Sequence, residues 1–187
     1  AVVCILLELG FLIFIIATGV LFIIKLKRSK KNSKLLLSKL EKDDPIWNAK
    51  ALDRHIRNSF FEIQKAWSDD NIYSVKHLLS DSLYADFQKQ LERNRKDNVR
   101  NLLSKIQLLN AYPMSVQDRI GEENDCVWYY IEGKMLDLTV EASTRRILSD
   151  IRKPQKFIEY WRFCKKDNTW VLDRISQQLE FESLIGK

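Results

Sequence analysis

The opening run AVVCILLELGFLIFIIATGVLFII, residues 1–24, carries a single charged side chain, Glu8, and it constrains what the rest of the chain can be. As a helix rising 1.5 Å per residue it would reach roughly 36 Å, enough to cross the hydrocarbon core of a bilayer. It reads as a transmembrane anchor. A secretory signal peptide would place positive charge before a shorter apolar stretch and end at a small-residue cleavage site, whereas here the positive charge follows. Glu8 lies in the outer third of the span, where snorkelling or protonation is cheap, so it needs no functional role. The chain begins with Ala1 rather than methionine, which leaves room for further sequence upstream.

Net charge is concentrated just after this run. Of the formal +6, residues 25–42 hold eight Lys or Arg against one Glu, and residues 43–187 are balanced. A nucleic-acid-binding domain is normally basic in its own right, whereas a basic collar after a span satisfies the positive-inside rule and attracts anionic lipid. The expected location is a cell membrane, single-pass, with the C-terminal domain on the cytoplasmic side. Lys25, Lys27, Arg28, Lys30, Lys31 and Lys34 are the candidate lipid-binding collar, and no specific nucleic acid is expected. The segment LLLSKLEK that follows reads as a short amphipathic helix or a linker.

The start of the next element is marked by DDPIW, with Asp44 as N-cap and Pro45 suited to the first turn. Leu52, Ile56, Phe60, Ile63 and Trp67 then recur at helical spacing and fall within roughly 80° of arc. Phe60 is thereby assigned to the core, and Phe61 to the opposite face with Trp47, Lys50, Arg54 and Lys65. Burial beneath another helix is the ordinary expectation for Phe61, and contact with a partner or lipid is the alternative. A short helix over about 72–79 and a third beginning at Ser80-Asp81 complete the helical half.

From about Leu103 the pattern turns to alternation and β-branched or aromatic clusters, predicting strands near 106–116, 125–140, 157–165 and 170–175. RIGEEND separates the first two and KKDNT makes a hairpin between the last two. The fold class is α+β: three helices on one face of a curved, mainly antiparallel sheet of about four strands, forming a cone with an apolar mouth. The domain boundaries are 1–24 anchor, 25–43 basic linker, 44–182 globular domain and 183–187 tail.

No cofactor, metal or catalytic motif is expected. His55 and His77 lack ligand spacing, and 5 glycines leave little material for phosphate-cradling loops. The three cysteines, Cys4, Cys126 and Cys164, also lack ligand spacing; Cys126 and Cys164 could be neighbours on adjacent strands, read as a reduced, buried pair in a cytosolic domain. The enzyme-like feature is Glu132, Asp137, Glu159 and Asp173 among strand aromatics, since a carboxylate inside an apolar cone could act as a base. Phe60, Trp67, Tyr112, Trp128 and Trp161 are candidates to line an apolar pocket. Trp47, Phe61, Arg93, Arg95, Lys96, Arg145 and Arg146 are the candidate partner surface. The last two belong to a long basic connection, EASTRRILSDIRKPQ.

Four stretches in order, DPIW, IRNSFFEIQKAWSDDN, LLSDSLYADFQKQLE and EYWRFCKKDNTWVLDRI, resemble the Tim44-like domain: the C-terminal domain of the mitochondrial inner-membrane translocase subunit and its bacterial membrane-anchored relatives. The resemblance covers roughly 44–180. It implies a cone-shaped α+β domain related in shape to nuclear transport factor 2 and the cystatin-like folds, and membrane-proximal binding of lipid, translocase or ribosome. The motor-tethering role of the mitochondrial subunit depends on a long N-terminal region that differs from this one, so it is not carried over. The implied function is a membrane-anchored binding module in protein translocation or membrane-protein biogenesis. The alternative is a pocket enzyme of the ketosteroid isomerase or hydratase type.

Overall fold

The computed structural model describes residues 23–119 and 125–177. The expected anchor therefore lies outside the described residues except for Ile23 and Ile24, as does the tail after residue 182. Among the described residues no helix is long and apolar enough to cross a membrane.

Helix α1 occupies residues 23–40. A 3-10 turn at Pro45–Trp47, helix α2 at Ala49–Ser68, a second 3-10 segment at Ile72–Leu78 and helix α3 at Asp81–Lys96 follow. Strands β1 (Val99–Gln117), β2 (Cys126–Glu141), β3 (Gln155–Lys166) and β4 (Thr169–Ser176) form an antiparallel meander in sequence order. The helices α2 and α3 pack on one face, giving the expected α+β arrangement.

Two capping residues in succession break the helix that the sequence suggests should run unbroken from Pro45. Asp44 accepts the Ile46 N–H at 3.0 Å, and Asn48, at φ −55° and ψ 111°, accepts the Ala51 N–H at 2.8 Å to begin α2 afresh. The break resets the helical phase. Trp47, expected on the outer face with Phe61, is instead 3 % exposed and sits edge-on to Trp170 with ring centroids 5.0 Å apart. The Trp170 indole N–H donates to the Ile46 carbonyl at 3.2 Å.

Within α2 the buried side chains include Leu52, Ile56, Phe60 and Ile63. Phe60 lies against Trp161 of β3, 5.5 Å between centroids, and over Phe157 at 6.3 Å. Phe157 fits because Gly133 faces it across the β2–β3 pair: a Cβ at Gly133 would stand 2.2 Å from Phe157 Cζ. Phe61 is 44 % exposed, so no helix covers it.

β1 starts earlier than its alternation suggests because three register shifts interrupt it, between Ser104 and Gln107, Leu108 and Asn110, and Pro113 and Ser115. Lys105 sits at φ 53°, in the left-handed region. Such bulges flip the in–out pattern and bend the strand. In the β3–β4 hairpin, Asp167 and Asn168 at φ 48° and 59° supply the two positive-φ positions of a type I′ turn.

Cys126 and Cys164 form a disulfide rather than a reduced pair, with Cα atoms 4.1 Å apart. They are directly opposed on β2 and β3, and the adjacent Asp125–Lys165 pair carries the backbone hydrogen bond, Lys165 N–H to Asp125 carbonyl at 2.8 Å. That puts the cysteines at a non-hydrogen-bonded position, where facing side chains come closest.

Candidate membrane-facing surface

The basic collar is part of the folded unit. Leu26, Ser29, Ser33, Leu37 and Leu40 recur on one side of α1 at helical spacing, and that side faces the protein. Leu37 is 0 % exposed and joins the main core, whereas Leu35, two residues away, is 55 % exposed. Ser29 Oγ donates to the Met114 carbonyl on β1. Leu26 packs on an outer-face cluster of Met114, Trp128, Tyr130 and Tyr160, with Tyr112 and Ile158 at its margin.

The docked stripe sorts the collar's charges. Lys25, Lys27, Arg28, Lys31 and Lys34 are exposed. Lys30 is turned inward, its ammonium 4.1 Å from the centroid of the Tyr112 ring. Burial pushes the Tyr112 hydroxyl up to about 12, so the ring beneath Lys30 stays neutral at physiological pH. The result is a ridge of five cations fixed in orientation to the domain, with no acidic residue between 23 and 40 to offset it.

The remaining basic candidates divide between structural and outward roles. Arg95 clamps Asp70, with two nitrogen–carboxylate contacts at 2.9 Å, and Arg100 donates to the Ser68 carbonyl at 3.1 and 2.7 Å, so both tie off the end of α2. Arg93, Lys96, Arg145 and Arg146 are exposed, and Arg146 lies 3.6 Å from Glu141. Asn98 brings the two clusters together: its carbonyl accepts the Ala142 N–H at 2.8 Å and its amide donates to Ser143 Oγ at 2.9 Å. The exit of α3 and the turn after β2 thus occupy one end of the molecule, where β1 and β2 project beyond β3 as a two-stranded ribbon.

The five aromatic candidates for a pocket do not converge. Phe60 and Trp161 meet in the main core, Trp67 is half-buried against Phe87 at 5.4 Å, and Tyr112 and Trp128 belong to the cluster on the other face of the sheet. Bulges in β1 place Tyr112 there, and Trp128 follows from the even-residue face of β2. A cleft of about 550 Å³ lies elsewhere, lined by Tyr73, Lys76, His77, Asp81 and Lys166 among others. His55 is engaged by the Trp170 carbonyl at 2.7 Å.

Three of the four strand carboxylates have ordinary polar partners. Glu132 accepts from Asn110 at 2.6 Å, Asp137 accepts from Asn101 at 3.0 Å, and Asp173 pairs with Arg162. Glu159 differs: it faces the helices between Phe157 and Trp161, and burial raises its carboxyl above the usual range, against the opposing effect of the Trp161 indole N–H that donates to it at 2.8 Å. Among the described residues no group of His, Cys, Asp or Glu is arranged to hold a metal ion.

One element escapes sequence reasoning altogether. Lys165, only 5 % exposed, reaches Asp44 at 3.0 Å and links the end of β3 to the start of the α2 region. The Ile46 N–H, and then Lys165, hold the Asp44 carboxyl below its ordinary range. Neither residue carries a motif, and they stand 121 positions apart.

A family model described as the Tim44-like domain matches residues 33–177, a span that begins inside α1. No curated protein matches the chain. Among solved structures, the intermembrane space region of the chloroplast protein ARC6 aligns with a TM-score of 0.48 at 10 % identity, covering 68 % of this chain and 94 % of that one. At that level neither function nor partner transfers. The family match takes in most of the chain, from the docked basic helix to the end of β4, and the chain belongs to the Tim44-like domain family.

Proposed function

We propose that this protein is a membrane-tethered binding module whose folded unit begins with α1 and contacts anionic lipid through the ridge of Lys25, Lys27, Arg28, Lys31 and Lys34. The observation that carries the reading is the docking of α1: its buried stripe leaves five cations fanned over the exposed side of the helix, directly after an apolar run long enough to span a bilayer. Each cation near an anionic surface contributes about 1 kcal/mol. A membrane-associated protein complex, in translocation or membrane-protein biogenesis, is the second partner class, in keeping with the family.

Residues 23–187 should float with phosphatidylglycerol vesicles at low salt, not with phosphatidylcholine vesicles, and glutamine at those five positions should abolish flotation. Failure to float on anionic vesicles at low salt would overturn the lipid contact. Under the positive-inside rule the domain lies on the cytoplasmic side. Thiols are kept reduced there, so the Cys126–Cys164 bridge is one that forms on exposure to oxidant. Alkylation after acid quenching and denaturation of unstressed cells should find both thiols free; finding them bridged would reverse the orientation.

A second reading rests on Glu159. A carboxyl whose burial among aromatics favours its protonated form can donate or accept a proton within a pocket. Glu159→Gln would then remove turnover of any small molecule found to bind the inner face, while leaving vesicle flotation unchanged.

A further inference from the structure

The ribbon end of the sheet combines two chemistries. In the connection from β2 to β3, Ile147, Leu148 and Ile151 are 48 %, 45 % and 38 % exposed. Aliphatic side chains at that exposure within five consecutive residues form an apolar patch rather than scattered surface hydrophobes. Around them stand Arg145, Arg146, Arg152, Lys153 and Lys156, all exposed; Asp150 is the acid within the segment, and Glu141 and Glu132 on β2 lie 3.6 Å from Arg146 and 3.9 Å from Lys156. The segment is held against the sheet: the Leu148 N–H donates to the Thr139 carbonyl at 2.8 Å and the Glu141 N–H to the Arg146 carbonyl at 2.9 Å. Through Asn98 it adjoins Arg93 and Lys96 at the exit of α3.

The direction of α1 points the same way. Leu26 packs on the cluster of Met114, Trp128, Tyr130 and Tyr160, Ser29 meets Met114, Lys30 lies over Tyr112, and Leu40 reaches the cleft shared by Asp118, Asp125 and Lys165. The helix therefore runs in the direction of β1, and its beginning, where the apolar run joins, faces the ribbon end. We propose that the ribbon end is a second membrane contact, inserting Ile147, Leu148 and Ile151 among the headgroups of an anionic bilayer while the surrounding arginines and lysines bind phosphates. An acidic protein or an RNA would match the cations but leave the aliphatic patch in water, whereas an anionic bilayer matches both. This rests on the reading of the chain as membrane-tethered and adds which end of the domain lies on the surface.

The test uses the full chain reconstituted in vesicles, oxidised to close the Cys126–Cys164 bridge and with Cys4→Ser to remove the remaining thiol. Single cysteines replacing Leu148, Ile151 or, as a control outside the patch, Tyr73 carry an environment-sensitive fluorophore. In phosphatidylglycerol vesicles containing shallow nitroxide-labelled lipid, labels at 148 and 151 are quenched and blue-shifted and the label at 73 is not. Reversing Arg152, Lys153 and Lys156 to glutamate lowers the docked fraction, by about fivefold in the docked-to-undocked ratio for each charge neutralised. A chain that floats with vesicles yet shows equal, aqueous emission at 148 and 73 overturns the second contact and leaves the tether intact. A chain that does not associate at all removes both.

Discussion

Replacing Leu37 by alanine separates a docked α1 from a flexible basic linker. Leu37 is 0 % exposed and packs in the main core. Three carbons are removed, each worth about 0.8 kcal/mol of burial, and the cavity left behind brings the expected loss to about 3–4 kcal/mol. Leu35→Ala is the matched control: the same chemistry on the same helix at 55 % exposure should cost under about 0.5 kcal/mol. Thermal unfolding of the detergent-solubilised chain, followed by the near-ultraviolet signal of its tryptophans, reads the difference. For a domain of this size about 3 kcal/mol corresponds to a fall in Tm of roughly 6–12 °C. If Leu37→Ala and Leu35→Ala melt within a degree of one another, α1 is not part of the cooperative unit, and the fixed orientation of its cations is lost as an argument.

Gly133→Ala should destabilise by about 1–3 kcal/mol, as overpacking does, because its Cβ would meet the Phe157 ring; Phe157→Leu in the same chain should restore much of the loss in urea unfolding. In oxidised protein the Cys126–Cys164 bridge closes a loop of 38 residues, so reduction should lower stability by up to about 4 kcal/mol, and denaturation curves unchanged by reductant would refute that. Glu159 binds its proton more tightly folded than unfolded. Below the unfolded value both states are protonated; as pH rises from there through the folded value, the unfolded state ionises first and stability falls. Glu159→Gln should remove that decline, so the variant gains on the parent in Tm as pH rises above the ordinary carboxyl value, and parallel profiles would sink the assignment.

The strands were legible where alternation is uninterrupted and obscure where it is not. Val127, Tyr129 and Ile131 reach the core in strict period two, and the hairpin at Asp167-Asn168 is marked by turn residues. The first residues of β1 are not readable as strand, because a positive φ at Lys105 and the shift to Gln107 exchange the two faces. The same limitation applies to the site. Phe60 and Phe61 were separable by helical phase alone, but Trp47 was misplaced, since no periodicity argument registers the second cap at Asn48. The six collar residues could be identified by charge; that Lys30 turns towards Tyr112 could not, because the ring belongs to a strand 82 positions further on.

β1 is an edge strand, and an open edge invites pairing with a neighbouring copy. A tether would heighten that hazard by confining copies to a plane. Side chains stopper this edge at intervals: Ser68 takes the Leu103 N–H at 2.9 Å, Arg57 donates to the Ala111 carbonyl at 3.0 Å, and Ser29 caps the Met114 carbonyl. Bulges kink the stretches between them. One of those stoppers comes from α1, so the helix that carries the cations also guards the sheet edge, and on a tethered chain undocking it would expose a template for self-association in two dimensions.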